Sequence, residues 1–142
     1  MASRKPFKLN QNYITGVSII DRQHANLINL VNEASRSLHK DASPARLSKI
    51  VKELLSYAIY HFNTEEVLMK RYGYLEMERE DAEAHIQEHR AFSEHIIGLQ
   101  EKIYGHAYID TDELIDYLLN WIGNHTLETD KKLSKFILQQ DI

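Results

Sequence analysis

The sequence predicts an all-α fold, an antiparallel up-down-up-down four-helix bundle with an N-terminal arm. Apolar residues recur every three or four positions through four long stretches, which puts them on one side of a helix. Pro44, Gly73 and Gly105 stand at the edges of those stretches, where helix-starting and helix-stopping residues belong. The links between the stretches are short, and short links make consecutive helices antiparallel neighbours.

Residues 1–17 contain Pro6, Asn10, Asn12 and Gly16 without periodicity and read as an extended arm, anchored by Phe7, Leu9, Tyr13 and Ile14. The first helix is expected over about 18–40. Ser18 with Asp21 three residues later resembles a capping box, and His24, Leu27, Ile28, Val31 and Leu38 share one face. The second is expected over 44–72: Ser43 offers a capping hydroxyl and Pro44 occupies a position that needs no amide hydrogen bond. Its inward stripe runs through Leu47, Ile50, Val51, Leu54, Ala58, His61, Glu65 and Leu68. The very acidic stretch 74–82 shows no clear boundary. A third helix follows over 82–104, with His85, His89, Phe92, Ile96, Leu99 and Ile103 inward. Thr111 is the expected cap of the fourth, over 111–138, with Asp112 and Glu113 in the first turn where the helix dipole favours acids. Leu114, Tyr117, Leu118, Trp121, His125, Leu133, Phe136 and Ile137 form its buried side.

The 142 residues suffice for one domain with a real core. Seventeen basic against 21 acidic residues give a formal charge of -4, which argues against nonspecific binding to nucleic acid. Cysteine is absent, so disulfides, thiolate metal sites and cysteine catalysis are excluded. No run approaches the roughly 18 apolar residues of a membrane span, and the N-terminus has no apolar signal core. The expectation is a cytoplasmic monomer with no membrane or nucleic-acid partner, free or fused to a signalling domain in a longer protein.

The chemistry lies in the histidines. His24, His61, His85, His89 and His125 all fall on inward stripes, while His39 and His106 fall in links and His95 lies on the opposite face from His89. One buried histidine is usually a hydrogen-bonded core residue. Five such rings, with Glu65 one turn after His61, form a set that is costly to bury without a cation to take up their lone pairs. Nitrogen and oxygen donors without sulfur suit iron, manganese or zinc. The adjacent Glu66 lies about 100° round the helix and is expected to face away. On the last helix two acids compete. Glu128, three residues after His125, is the easier neighbour, whereas Asp130 at five residues is about 140° off, so that either the two side chains approach from opposite flanks or a π-bulge adds a residue to the turn.

Four segments, GVSIIDRQHANL, YAIYHFNTEEVLM, HIQEHRAF and LLNWIGNHTLETD, occur in that order and resemble the hemerythrins, most of all the bacterial ones. The resemblance runs from about Gly16 to Phe136. It implies two iron ions with an oxo or hydroxo bridge, one held by His85, His89 and His125 and the other by His24 and His61. Glu65 and Asp130 would bridge them, which favours Asp130 over Glu128. It also implies reversible dioxygen binding at the two-histidine iron, for carriage, storage or sensing. The alternative is a di-iron enzyme acting on peroxide, nitric oxide or ferrous iron. Ile28, Phe62, Phe92, Trp121 and Leu127 are candidates for the oxygen pocket or its surroundings, and Tyr57 for a hydrogen bond to the site. The chain departs from the family pattern in two respects. It lacks the tryptophan near the N-terminus of many bacterial members, with Phe7 or Tyr13 available to cover that end, and its stretch between Tyr74 and His85 is longer than usual.

Overall fold

The computed structural model describes residues 14–38 and 43–140; Phe7, Leu9, Tyr13 and His39 lie outside them. Its helices are α1 (Ser18–Ser37), α2 (Pro44–Arg71), α3 (Tyr74–Met77), α4 (Arg79–Tyr104), α5 (Thr111–Asn124) and α6 (Lys131–Gln140), with a π-helical turn at His125–Asp130. Asn124, His125 and Lys131 all keep right-handed helical dihedrals, so α5, the π turn and α6 make one continuous rod. α2 packs against both α1 and α4, α1 against α5, and α4 against the π turn, which closes a four-rod bundle. No helix among the described residues is long and apolar enough to cross a membrane.

The caps show how closely local chemistry sets the ends. Ser43 Oγ accepts the amide of Arg46 at 3.2 Å and Pro44 opens α2, as the sequence predicts. α1 begins at Ser18, so Ser18 is not its cap; Val17 is, without a side-chain bond. Asp21 instead reaches back to the amides of Thr15 (2.8 Å) and Gly16 (3.1 Å) and the Thr15 hydroxyl (2.7 Å). Ile14, expected as an anchor, is 55 % exposed. The cap of the last rod is Asp110 rather than Thr111: its Oδ1 accepts the amides of Asp112 and Glu113, while Thr111 is buried.

The ambiguous stretch after Gly73 is a single turn, α3, followed by a break at Glu78, and the third rod starts at Arg79 rather than 82. Gly73 turns the corner at φ +81, a left-handed conformation in which a Cβ is strained. α3 pushes Tyr74 inward, where it is buried against Phe136 with ring centroids 5.1 Å apart. α1 gives out at Ser37, short of the expected 40, and α6 continues to Gln140.

Two apolar layers result. The larger unites Leu27 to Ala34 of α1 and Leu38 just after it, Leu47 to Phe62 of α2, Phe92 to Ile103 of α4 and Leu114 to Ile122 of α5. The smaller contains Ile20, Leu68, Met69, Tyr74, Ala82, Leu133, Phe136 and Ile137. His24, His61, Glu65, His85, His89, His125 and Asp130 fall between these sets along every rod. They form a buried polar layer sealed at both ends.

The end of α4 yields a test. His106 has φ 60, with its amide bonded to Ile103 O (3.1 Å) and that of Ala107 to Lys102 O (2.9 Å), the Schellman pattern with a non-glycine at the left-handed position. His106→Gly relieves that strain, and urea unfolding should show a gain of about 0.5–1 kcal/mol.

Candidate metal centre

Seven donors converge in the polar layer. Glu65, His85, His89, His125 and Asp130 present ligand atoms within 4.8 Å of one another, as do His24, His61, Glu65 and Asp130. The two groups share both carboxylates, and every member is buried.

The register explains how each arrives. His61 and Glu65 stack one turn apart on α2, as do His85 and His89 on α4, and His24 projects from α1. Asp130 arrives through the π turn: widening His125–Asp130 by one residue brings position five onto the face of His125. Asp130 is fully buried among the histidines, while Glu128 is exposed.

Asp130 faces both groups at once. Its Oδ2 lies 2.6 Å from His24 Nε2, and its Oδ1 lies 3.1 Å from His85 Nε2 and 2.9 Å from His125 Nε2. Glu65 Oε1 is 3.2 Å from both His61 Nε2 and His89 Nε2, 3.5 Å from His85 Nε2 and 3.7 Å from His125 Nε2. Yet His61 Nε2, His85 Nε2, Glu65 Oε2 and Asp130 Oδ1 make no hydrogen bond. They are close without being aligned on one another, the arrangement of donors aimed at a common point between them. Buried polar atoms are rarely left so. The set fits a pair of iron ions in donor type, number and sharing.

Outside this ring, further side chains fix the imidazoles. Gln23 Oε1 accepts from His61 Nδ1 (2.7 Å), and Gln23 Nε2 donates to Thr64 Oγ1 (3.0 Å), which donates to Tyr60 O (3.1 Å). Glu66 Oε2 accepts from His89 Nδ1 at 3.0 Å, and Glu88 Oε1 from His125 Nδ1 at 3.0 Å. An acceptor on Nδ1 puts that ring's proton there and leaves the Nε2 lone pair for the centre. Glu66 therefore does not face away as its helical angle suggests; its side chain spans to α4. Requiring an acceptor behind each ring nitrogen would have pointed to Gln23, Glu66 and Glu88, each one residue from a predicted ligand.

Aromatic rings brace the three-histidine side. Phe62 stacks on His89 at 4.0 Å and Trp121 on His125 at 4.4 Å, and Phe92 meets Trp121 at 4.5 Å. Ile28 is buried in the larger apolar layer, and Leu127 is half-buried in the π turn. Tyr57 does not serve the site: its hydroxyl accepts from Asn26 at 3.1 Å, because its position one turn before His61 points it along α1 instead. Away from the centre, exposed His95 stacks on Tyr117 at 3.9 Å, as its opposite-face register predicts.

Electrostatics follow from packing opposite charges in one dry layer. Burial disfavours ionised Glu65 and Asp130, and Asp130 further opposes Glu65, but the facing imidazoles hold both carboxyls well below their ordinary range. Burial likewise lowers the histidines, but Glu65 and Asp130 outweigh it. His61 rises from 6.5 to about 9, His85 is raised, and His125 is raised well above its ordinary value. In the metal-free chain, protons thus supply the positive charge.

The sign of the pH dependence is then set. A raised histidine stabilises the metal-free fold fully below pH 6.5, and that contribution is lost as pH climbs through about 9. Calorimetry of the metal-free protein should show the unfolding temperature falling from pH 6.5 to 9, and the fall should vanish in the metal-loaded form. A metal-free midpoint that rises over this interval contradicts the arrangement.

Comparison with known proteins agrees with this geometry. The family model "Hemerythrin HHE cation binding domain" matches residues 15–137. The bacteriohemerythrin of Methylococcus capsulatus is 31% identical over 121 residues, covering 82% of this chain and 85% of that protein. The bacteriohemerythrin of Pseudomonas aeruginosa is 27% identical over 116 residues, covering 82% and 71%. A crystal structure of wild-type hemerythrin aligns with a TM-score of 0.79 at 25% identity, covering 92% of this chain and 97% of that one. Fold, buried donor set and sequence point the same way, and the chain belongs to the hemerythrin family, related to its bacterial members.

Proposed function

We propose that the chain binds dioxygen reversibly at a non-haem di-iron centre. His85, His89 and His125 would hold one ion, His24 and His61 would hold the other, and Glu65 and Asp130 would be shared between them. The observation that carries this reading is the unequal sharing of donors. Both groups use the same two carboxylates, but one has three imidazoles and the other two. The poorer group leaves room for a small ligand from outside.

When bound, the iron pair supplies two reversible one-electron oxidations. The protein supplies the rest. Glu65 and Asp130 neutralise charge between the ions. Gln23, Glu66 and Glu88 keep the Nε2 lone pairs of His61, His89 and His125 directed at the centre. Ile28, Phe62 and Phe92 are buried, and with Leu127 they keep bulk water from the layer. Two carboxylates among seven donors is a low anionic count. Such a set favours binding oxygen and releasing it over the oxidation of substrates, for which carboxylate-rich di-iron sites are built. Carriage, storage and sensing all use this chemistry.

Anaerobic addition of two equivalents of ferrous iron, followed by air, should produce a visible charge-transfer band that disappears when oxygen is removed. A colourless protein that takes up at most one iron contradicts the proposal. Glu65→Ala removes a donor shared by both groups, and iron stoichiometry should fall from two to one or fewer. Glu128→Ala, at an exposed position in the same π turn as Asp130, should keep two irons and change stability by about 0.5 kcal/mol or less.

A further inference from the structure

All five imidazoles face the shared carboxylates, but the groups behind them differ in charge. Behind His89 and His125 stand the carboxylates of Glu66 and Glu88, each 3.0 Å from Nδ1. Behind His61 stands the neutral amide of Gln23, at 2.7 Å. His24 Nδ1 and His85 Nδ1 have no hydrogen-bond partner. Outer anionic charge is therefore confined to the three-histidine group.

Both kinds of partner are held in place. Thr129, in the π turn that delivers Asp130, donates its hydroxyl to Glu88 Oε1 (2.9 Å) and Oε2 (2.8 Å). Gln23 is oriented by Thr64, whose own proton goes to Tyr60 O, so the amide oxygen must face His61. The amide fixes the His61 ring as well as a carboxylate would and adds no charge.

We infer that Glu66 and Glu88 make the His85–His89–His125 position the tighter and first-filled of the two metal positions, while Gln23 keeps the His24–His61 position the weaker. The inference rests on the two-metal reading above. An imidazole whose Nδ1–H donates to a carboxylate is a stronger Nε2 donor than one bonded to an amide, and a negative charge one ring away from a cation attracts it directly. Glu66 and Glu88 are thus positioning and tuning residues that touch the ligands and not the metal. The order has a structural consequence. The first ion ties α2, α4 and the last rod together through Glu65, His85, His89, His125 and Asp130. The second then enters a position whose shared carboxylates are already set.

The test titrates the full metal-free chain with Zn²⁺, a diamagnetic probe, and follows the ring nitrogens of individual histidines by ¹⁵N NMR, with stepwise dissociation constants from chelator competition. The first equivalent should shift Nε2 of His85, His89 and His125, and the second those of His24 and His61. Glu66→Gln and Glu88→Gln should each weaken the first step by about tenfold while the second stays within about threefold. Gln23→Glu should tighten the His24–His61 step and narrow the gap between the two, which keeps the inference testable if either glutamine variant fails to fold. First filling of His24 and His61, simultaneous filling of both groups, or an unchanged gap in Gln23→Glu overturns the order. A wild-type chain that never binds a second equivalent overturns the two-metal reading itself, so the two failures are distinct.

Discussion

The structure depends on one juxtaposition: two carboxylates, Glu65 and Asp130, set among five imidazoles in a layer that water does not reach. Buried charge is tolerated only when opposite charge lies beside it, and removing one partner of such a pair typically costs about 3–5 kcal/mol. The bundle meets this requirement in two ways. Without metal, the attraction between the imidazoles and the two carboxylates outweighs burial, which raises His61, His85 and His125 and lowers the acids. Metal cations bound at the same atoms would take the place of protons on the imidazoles. Metal uptake would therefore be coupled to proton release.

The apolar layers make this possible. Leu27, Leu54, Phe92 and Leu118 pack on one side of the centre, and Leu68, Tyr74, Leu133 and Phe136 on the other. The rods are thereby gripped above and below the polar layer, which fixes the inter-rod spacing without help from the polar groups. α3 belongs to this arrangement. The segment between Gly73 and Arg79 places Tyr74 in the smaller apolar layer, so a turn outside the donor set still contributes to its exclusion from solvent.

Much of this was legible in the sequence because a helix converts spacing into direction. The inward register of His24, His61, His85, His89 and His125 follows from the apolar residues beside them, and of the two ways open to the five-residue step from His125 to Asp130, opposite flanks or a π turn, the chain takes the π turn. What the spacing missed depends on the neighbouring rod. Glu66 sits about 100° from Glu65 and would be solvated on an isolated helix. Its long side chain instead reaches His89 on α4, which only the packing of α2 against α4 reveals. Tyr57 fails in the opposite sense: it has the right spacing from His61, but it lies on the edge that meets Asn26 of α1. The caps at Val17 and Asp110 each stand one residue before the expected one: Asp110 takes the free amides of Asp112 and Glu113 with its own carboxylate, whereas Val17 caps α1 with no side-chain bond. The break at Glu78 was hidden by a composition that favours helix on both sides.

The central claim is that two metal ions share Glu65 and Asp130. Its most direct test is a crystal structure of the iron-loaded protein with data collected at the iron absorption edge. The account predicts two anomalous peaks between Glu65 and Asp130, one within coordination distance of His85, His89 and His125 and the other of His24 and His61. A single peak, or a second one lying outside these seven side chains, would contradict it.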